Sequence, residues 1–512
     1  MSVEKTTRIA RNTALLYGRM FVQMLVTLYA SRIVLRVLGV EDNDTYAVVG
    51  SFVALFWFLN TAMAAATQRF LNVELERGNR DSVRRVFSMS VNIHVGIALI
   101  VLVLGETLGL WFVNTYLEIP PERMVAANWV YQFSLLTSCF NIIRVPYNAS
   151  IVSHERMSMY ALLTMAEAVL RLAAVLVLVW LPGDKLILYA ALTAGVVLAV
   201  TLIYRWYCRR KFEVCRYSPV KDRALMKQMI GFSGWSLLGS GANAASQHGV
   251  SLLFNIVLGQ GYNVAMEKAT QISNAVYAFV LNFQTAFNPQ IMKSYTADDT
   301  GYLRYLIFRA SKYSYFLLLL IAIPVILCAQ PLVELWLGAE MAPAHTATFA
   351  QLLMYSLLID ALAVPLWTAV QATGRIRGYQ ILMSALTFLN LPLAYAVLKL
   401  GFPAESALVV RLGVNALIFV VRLAYLDRRF AFPTWQYIRQ VVFVVIVVTA
   451  LAVPVPWAVA RHTDGFGGIV LTTLASCVWT GAVIFTVGMG RKERGFLIGE
   501  LKKKLYRNKT TE

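Results

Sequence analysis

Residues 12–39 decide the fold and read NTALLYGRMFVQMLVTLYASRIVLRVLG. The stretch is long enough to cross a bilayer, which takes about 20 residues of helix. It carries three arginines and no acidic residue. Because a charge at mid-bilayer costs about 2.5 to 3.5 kcal/mol, arginines placed here need water, a partner or a function. The stretch therefore predicts a membrane helix that bears functional cations.

The composition extends this interpretation to the whole chain. Of its 512 residues 58% are hydrophobic and only 14% are charged, whereas a soluble chain carries about a quarter charged residues. This excludes a water-soluble enzyme. The formal charge is +19, but the basic residues fall between apolar stretches rather than in one patch, which argues against nucleic acid as a partner. Five scattered cysteines indicate neither a disulfide framework nor a metal site, and without a GxxxxGK[ST] run we expect no cofactor.

Fourteen apolar segments are predicted to span the membrane. They start near Asn12, Thr45, Val83, Val125, Met157, Leu186, Ile230, Tyr262, Tyr305, Thr346, Tyr379, Ala407, Val441 and Gly468. Lys and Arg near span ends are retained on the cytoplasmic side. With both termini placed in the cytoplasm, the outer loops are short and hold only four basic residues, Arg123, Lys185, Lys399 and Arg461. The sequence thus predicts an all-α, multi-pass integral membrane protein.

An internal repeat occurs at an offset of 220 residues. Residues 37–39 and 257–259 both read VLG, and Arg84 matches Arg304. Six spans separate the copies, so the two halves have the same orientation and form a parallel repeat. We predict a six-helix lobe over residues 1–211, a second over 212–430, two additional helices over 431–490 and a basic cytoplasmic tail over 491–512.

Polar residues align along three of the predicted helices at 100° per residue. The aligned sets are Arg19, Gln23, Thr27 and Ser31 in the first span; Gly239, Asn243, Gln247 and Ser251 in the seventh; and Lys268, Gln271 and Asn282 in the eighth. Small and polar residues in membrane helices also serve packing and interhelical hydrogen bonding. Because the first and seventh spans are equivalent in the repeat, their matching stripes favour a water-filled cavity between the lobes.

Other charged residues of the spans have two interpretations each. Arg32 and Arg36 lie near the outer end of the first span, where they either snorkel to the interface or bind substrate. Glu167 precedes Arg171 by four residues, so the two are expected to neutralise each other along one helix face. Lys268 follows Glu267, but neighbours point about 100° apart on a helix, which leaves Lys268 as a ligand candidate.

Basic groups on polar helix faces imply an anionic cargo, since arginine makes bidentate, charge-assisted hydrogen bonds to phosphate. The substrate-binding candidates are Arg19, Gln23, Arg32, Arg36, Asn243, Gln247, Lys268, Gln271, Asn282 and Arg411. Asp360 and Glu106 are carboxylates of the spans that could titrate with a coupling ion.

Four stretches resemble one known family. They are residues 60–79 (NTAMAAATQRFLNVELERGN), 145–161 (VPYNASIVSHERMSMYA), 288–295 (NPQIMKSY) and 335–338 (LWLG). On these residues the chain resembles the bacterial oligosaccharide and O-antigen flippases of the multidrug/oligosaccharidyl-lipid/polysaccharide superfamily. Related sequences often have Arg-Gly early in the eighth span, where this chain reads AMEK over residues 265–268, with Lys268 as the substitute cation.

The resemblance implies a transporter, not an enzyme, of the bacterial cytoplasmic (inner) membrane. It would flip a polyprenyl-pyrophosphate-linked oligosaccharide to the outer leaflet by alternating access, for O-antigen of lipopolysaccharide, capsule or exopolysaccharide. Arg19 and Lys268 would hold pyrophosphate, while the polar stripes bind sugars. Membrane lipids, a polysaccharide polymerase and a chain-length protein are implied as partners. The alternatives are a peptidoglycan lipid precursor flippase and a cation-coupled drug exporter of the same superfamily.

Overall fold

The chain is all-helical over the part that a computed structural model describes. This part comprises residues 3–154, 156–296, 299–373, 376–430, 432–490, 493–495 and 499. Within it, the side chains of residues 3–19, 61, 62, 65, 232, 235, 236, 282, 285, 286, 289, 293 and 296 are not described. The described residues contain no β-strand. Most of the predicted basic tail, residues 491–512, lies outside the described residues.

The described helices are numbered in chain order. They are α1 (Val3–Ala54), α2 (Trp57–Glu76), α3 (Arg80–Leu104), α4 (Leu110–Tyr116), α5 (Met124–Ser153), α6 (Met157–Trp180), α7 (Lys185–Lys211), α8 (Arg223–Leu258), α9 (Tyr262–Thr296), α10 (Thr300–Leu327), α11 (Ala329–Leu337), α12 (Thr346–Ala372), α13 (Arg377–Phe388), α14 (Asn390–Lys399), α15 (Glu405–Phe430), α16 (Thr434–Tyr437), α17 (Phe443–Ala452), α18 (Pro454–Arg461) and α19 (Gly465–Val483).

Short polar side chains begin several of these helices. Asn79 accepts hydrogen bonds from two backbone N–H groups at the start of α3, and Asp184 does the same for α7. Asp222 and Asp299 cap α8 and α10. Such caps satisfy N–H groups that have no partner inside the helix. The long apolar stretches between the caps then form the helices.

Ten of the described helical segments are long and apolar enough to cross a membrane. Every start in the predicted series of fourteen falls on a helix or within two residues of its beginning. The all-helical membrane fold predicted from the sequence is therefore confirmed. The count of fourteen spans stays a prediction.

The chain divides into two compact units. The first comprises Met1–Gln271, Trp336–Phe349 and Ile376–Val414, and the second comprises Ile272–Leu335, Ala350–Arg375 and Asn415–Glu512. In the first unit α5 packs between α3 and α7, α1 packs on α6, and α8 packs on α2, α13 and α14. In the second unit α10 packs on α19, and α17 and α18 join them. The predicted lobes over 1–211 and 212–430 stay a prediction.

The repeat at offset 220 is visible in the backbone of the first unit. Gly39 interrupts α1 with a φ of 76°, and Gly259 ends α8 with a φ of 86°. Both values lie in the region that favours glycine. The two VLG stretches therefore perform the same function, which is to turn the chain between consecutive helices.

Candidate functional site

A cavity of about 400 Å³ lies inside the first unit, among α1, α6, α7 and α9. Its volume falls within the range of small-molecule sites. Among the described side chains, two cationic and two anionic groups face it, together with two amides. These six are Arg171, Lys268, Glu167, Glu267, Gln23 and Gln271. We refer to this space as the charged cavity.

One carboxylate of the charged cavity is shared by two arginines. Glu167 Oε1 lies 2.9 Å from Arg171 Nη2 on the same helix, and Glu167 Oε2 lies 2.7 Å from Arg144 Nη1 on α5. The i,i+4 pairing of Glu167 with Arg171 is thus confirmed. A second cation on the same carboxylate leaves the three side chains with a net positive charge, which favours an anionic ligand.

The start of α9 also lines the charged cavity. Lys268 is only 1% exposed, and its Nζ lies 3.2 Å from Glu267 Oε1. Gln271 Nε2 donates to the same oxygen at 2.7 Å. Lys268 and Glu267 therefore pair although they are neighbours in sequence, contrary to the interpretation from helix angles, because long side chains can turn back along one wall of a cavity.

Three buried polar atoms of this cavity have no hydrogen-bond partner in the described part of the chain. They are Ser31 Oγ, Glu267 Oε2 and Gln271 Oε1. Burying such a group unpaired costs about 1 to 3 kcal/mol. All three can accept a hydrogen bond, so the cavity suits water or a ligand that carries hydroxyl donors.

A second cavity of about 290 Å³ lies between α2 and α5 of the same unit. Its polar lining consists of amides and one arginine, and these residues are Asn60, Gln68, Asn141, Arg144 and Asn148. Arg144 also donates to Asn141 Oδ1 at 2.8 Å. The Oδ1 atoms of Asn60 and Asn148 have no partner among the described residues. We refer to this space as the amide cavity, and the ion pair of Arg144 with Glu167 connects it to the charged cavity.

The structure brings three of the predicted site residues together. Gln23, Lys268 and Gln271 all line the charged cavity. Arg19 and Asn282 lie outside the residues whose side chains are described. Their predicted contacts with substrate stay predictions.

Four other predicted residues lie elsewhere on α1 and α8. Arg32 and Arg36 are exposed on α1, and neither lines the charged cavity. Asn243 and Gln247 are exposed on α8. Within the predicted stripe of α8, Gly239 instead packs against the side chain of Gln380 on α13.

The last three predicted residues are dispersed. Arg411 is half-buried in α15 of the first unit, and Asp360 is half-buried in α12 of the second. Glu106 is exposed in a π-turn after α3 and accepts a hydrogen bond from Gln132 Nε2 at 3.1 Å. Neither carboxylate lines the charged cavity.

Sequence reasoning missed the amide cavity, although a signal for it exists. Asn60 and Gln68 lie eight residues apart on α2, and Asn141, Arg144 and Asn148 recur at intervals of three and four on α5. Each set occupies one helix face. Both sets lie outside the first, seventh and eighth spans, whose polar stripes defined the predicted site.

Comparison with known proteins supplies solved structures of similar fold. No protein-family model and no curated protein sequence matches the chain. Lipid II flippase MurJ in an inward closed conformation matches with a TM-score of 0.70 and 11% identity, over 92% of this chain and 99% of that chain. An inward-facing multidrug resistance MATE family transporter of the MOP superfamily matches with a TM-score of 0.65 and 14% identity, over 80% and 94%. The MATE multidrug transporter DinF-BH matches with a TM-score of 0.63 and 13% identity, over 84% and 96%.

These likenesses establish the fold. The chain has the helical fold of MurJ and the MATE transporters, which is the fold expected from the superfamily resemblance. MurJ accounts for more of this chain than either MATE transporter does.

Proposed function

We propose that this protein moves a polyprenyl-pyrophosphate-linked oligosaccharide from the cytoplasmic to the outer leaflet, for the synthesis of a surface polysaccharide. The observation that carries the proposal is the pair of polar cavities inside one helical unit, connected by Arg144 and Glu167. The charged cavity presents two cations, each paired with a carboxylate, and the amide cavity presents amides and Arg144. Such a pair suits a headgroup that is anionic at one end and rich in hydroxyls at the other.

The physical chemistry of the cargo requires a site of this kind. A polyprenyl tail gains about 0.8 kcal/mol for each CH₂ that stays in lipid, so the tail has no need of a polar slot. The sugars and the pyrophosphate would each lose hydration in hydrocarbon at a prohibitive cost. The protein therefore needs to shelter only the headgroup.

In the charged cavity, the pyrophosphate would replace the two carboxylates as the ion-pair partner of Arg171 and Lys268. Arg171 offers a planar fork of donors for two phosphate oxygens, and Lys268 offers a compact ammonium group. The freed carboxylates would accept hydrogen bonds from sugar hydroxyls. In the amide cavity, Asn60 and Asn148 each present an oxygen that lacks a partner among the described residues and can accept from a hydroxyl.

Alternating access of the two halves of the repeat would carry the headgroup across. The pyrophosphate moves outward, away from a negative cytoplasm, and the membrane potential favours this by about 2.3 kcal/mol per negative charge per 100 mV. The membrane potential would then supply part of the driving force. A polysaccharide polymerase and a chain-length protein would use the flipped lipid.

Proteoliposomes that contain a fluorescent lipid-linked oligosaccharide test the proposal. The wild type should move the lipid faster with a potential negative on the side of departure, and Arg171→Gln and Lys268→Gln should slow it at least tenfold. Arg85→Gln, which removes an exposed arginine of α3, is the matched control and should leave the rate unchanged. Equal rates in the wild type and both cavity variants would overturn the proposal.

A peptidoglycan lipid precursor is the nearest alternative cargo, since MurJ is a lipid II flippase and matches 92% of this chain. Complementation separates the two cargoes. Rescue of a strain that lacks capsule or O-antigen transport supports the proposed cargo. Rescue of a strain defective in cell-wall synthesis supports the alternative cargo.

The carboxylates of the charged cavity favour a second function, export of cationic drugs coupled to a cation. Glu267 Oε2 is buried and has no partner among the described residues, so it could bind a proton or a metal cation. If drug efflux is measurable and Glu267→Gln abolishes it, while Arg171→Gln does not, the exporter is the better assignment.

A further inference from the structure

A basic cleft of about 740 Å³ occurs in the second unit, where three predicted spans end. It lies between the start of α10, the helix around residues 434–442 and the end of the last span at Gly488. Four cationic side chains line it, and they are Arg304, Arg309, Lys312 and Arg439. Among the described residues, Glu493 is the single carboxylate of this lining. The described side chains of the cleft thus carry an excess of three positive charges.

Glu493 already binds two of the cations. Its Oε1 lies 2.9 Å from Arg309 Nε, and its Oε2 lies 3.3 Å from Lys312 Nζ. The backbone N–H of Gly490 also donates to Oε2, at 2.8 Å. Burial would raise the pKa of Glu493, but the Gly490 N–H and the Lys312 ammonium together hold the pKa below its usual value. The cleft therefore stabilises an anion at this position.

The other two cations lie at the open side of the cleft. Arg304 Nη1 donates to Gln436 Oε1 at 3.1 Å, and both Arg304 and Arg439 are exposed. Unlike Arg309 and Lys312, they form no ion pair within the described residues.

Aromatic residues indicate the depth of the cleft in the membrane. Trp435 is 75% exposed, and Tyr302 and Tyr305 are exposed as well. Arg309 lies over the ring of Tyr305, 4.4 Å from its centroid. Exposed Trp and Tyr beside span ends are typical of the membrane–water interface, where lipid headgroups lie.

The floor of the cleft is apolar. Val441, Val444 and Val487 line it, and Phe443 and Ile446 are exposed apolar side chains of the helical segment that contains Val441 and Val444. A ligand with a phosphate at one end and hydrocarbon at the other would match both parts of this surface. A free phosphate would use only the cations.

We propose that this cleft binds the phosphate of an anionic bilayer phospholipid, with an acyl chain along the valines of its floor. Glu493 occupies part of the cation cluster and competes with the phosphate. The inference does not depend on the proposed transport function, because it concerns other residues and a resident lipid rather than cargo.

Native mass spectrometry of the purified full chain tests the proposal. Phosphatidylglycerol and cardiolipin should bind more tightly than phosphatidylcholine. The double variant Arg304→Gln/Arg439→Gln should weaken the two anionic lipids by roughly tenfold, because each basic residue near a membrane surface contributes to anionic lipid binding. Arg85→Gln/Arg223→Gln removes two exposed arginines of the first unit and should leave lipid binding unchanged.

A variant that is expected to bind anionic lipid more tightly provides a second test. Glu493→Gln removes the competing carboxylate and should tighten the binding of anionic lipid, whereas Glu340→Gln, at an exposed carboxylate elsewhere, should not. Equal binding of the three lipids, an equal loss in the control double variant, or no tightening by Glu493→Gln would overturn the proposal. Displacement of the lipid by inorganic phosphate, beyond the effect of sodium chloride of equal ionic strength, would assign the cleft to a free anion instead.

Discussion

The carboxylate of Asp44 accepts a hydrogen bond from the backbone N–H of Val264 at 2.8 Å, and 220 residues separate the two. This separation is the offset of the internal repeat, so the two residues are equivalent positions of its two copies. Val264 is the third residue of α9, where an N–H group has no partner within the helix. The buried Asp44 supplies that partner. One half of the repeat thus caps a helix of the other.

Asp44→Ala should destabilise the protein by about 1 to 3 kcal/mol, because the N–H of Val264 would be buried without an acceptor. Thermal unfolding in detergent measures the loss. Asp44→Asn keeps an oxygen that can accept the hydrogen bond and should lose clearly less. If the two variants unfold at the same temperature, the hydrogen bond to Val264 does not stabilise the fold.

The glycines of the two VLG stretches should tolerate no other residue without strain. Gly39 has a φ of 76° and a ψ of 177°, a combination that is essentially confined to glycine. No atom lies within 4 Å of the position that a Cβ would take, so the cost of Gly39→Ala is backbone strain alone, about 1 to 3 kcal/mol.

Gly50→Ala is the matched control for Gly39→Ala. Gly50 also has open space around its Cβ position, but it has helical backbone angles in α1. Alanine there should raise stability slightly, since it has the higher helix propensity. Urea unfolding of both variants gives the comparison, and a stabilising Gly39→Ala would contradict the assigned backbone conformation.

Much of the fold could be predicted from the sequence, because apolar length and turn residues act locally. The starts of the helices follow from the ends of apolar stretches and from caps such as Asp184. The equivalence of Gly39 and Gly259 could be predicted because each glycine ends the same tripeptide, VLG. The hydrogen bond between Asp44 and Val264 could not be predicted, because the sequence around Asp44 does not show which distant helix it contacts.

The site was predicted only in part, and the reason is geometric. Helix angles place Gln23 and Gln271 on polar faces, and both line the charged cavity. Helix angles, however, give only the direction of the Cα–Cβ bond. The end of a long side chain can point elsewhere, as the Lys268 ammonium group does towards Glu267. The contact of Arg144 with Glu167 joins two helices whose packing the sequence does not show.

The buried Lys268 should depend on its neighbour for neutralisation. Glu267→Gln would leave an ammonium group that is 1% exposed without its ion partner. Removal of one member of a buried pair costs about 3 to 5 kcal/mol. We therefore expect a marked drop in the unfolding temperature of Glu267→Gln in detergent.

The double variant Glu267→Gln/Lys268→Met provides the test of mechanism. It removes the unpaired charge as well and fills a similar volume, so it should recover most of the stability that Glu267→Gln loses. If the double variant is no more stable than Glu267→Gln, the loss comes from packing around Glu267 rather than from an unpaired charge.

Arg123 connects three segments of the first unit. Its guanidinium donates to Asp42 on α1 and, at 2.7 Å, to Asp184 at the start of α7. Burial would raise the pKa of Asp184, but the hydrogen bond from Arg123 holds it below its usual value. Arg123→Gln should cost about 1 to 3 kcal/mol at pH 7, between the values for exposed and buried pairs.

The ion pair of Arg123 with Asp184 predicts how this cost depends on pH. A carboxylate whose pKa is lowered by folding stabilises the protein above its unfolded pKa, about 3.9 for Asp, and the contribution is lost as pH falls further. The gap in unfolding temperature between the wild type and Arg123→Gln should thus be constant from about pH 7 to 5 and shrink below about pH 4. A gap that persists unchanged at about pH 3 would exclude Asp184 as the stabilising partner.

Asn243 and Gln247 test whether the predicted stripe of α8 faces water. Both side chains are exposed, as is that of Leu238 on the same helix. An amide side chain in contact with hydrocarbon would lose its hydrogen bonds to water, whereas a leucine side chain has none to lose. We expect a membrane-impermeant thiol reagent to label Asn243→Cys and Gln247→Cys rapidly and Leu238→Cys slowly. Four of the five natural cysteines are buried and Cys477 is half-buried, so the background is measured on the unsubstituted chain. Equal labelling of Leu238→Cys and Asn243→Cys would show that the polar stripe is not a water-facing surface and would remove both amides from the candidate site.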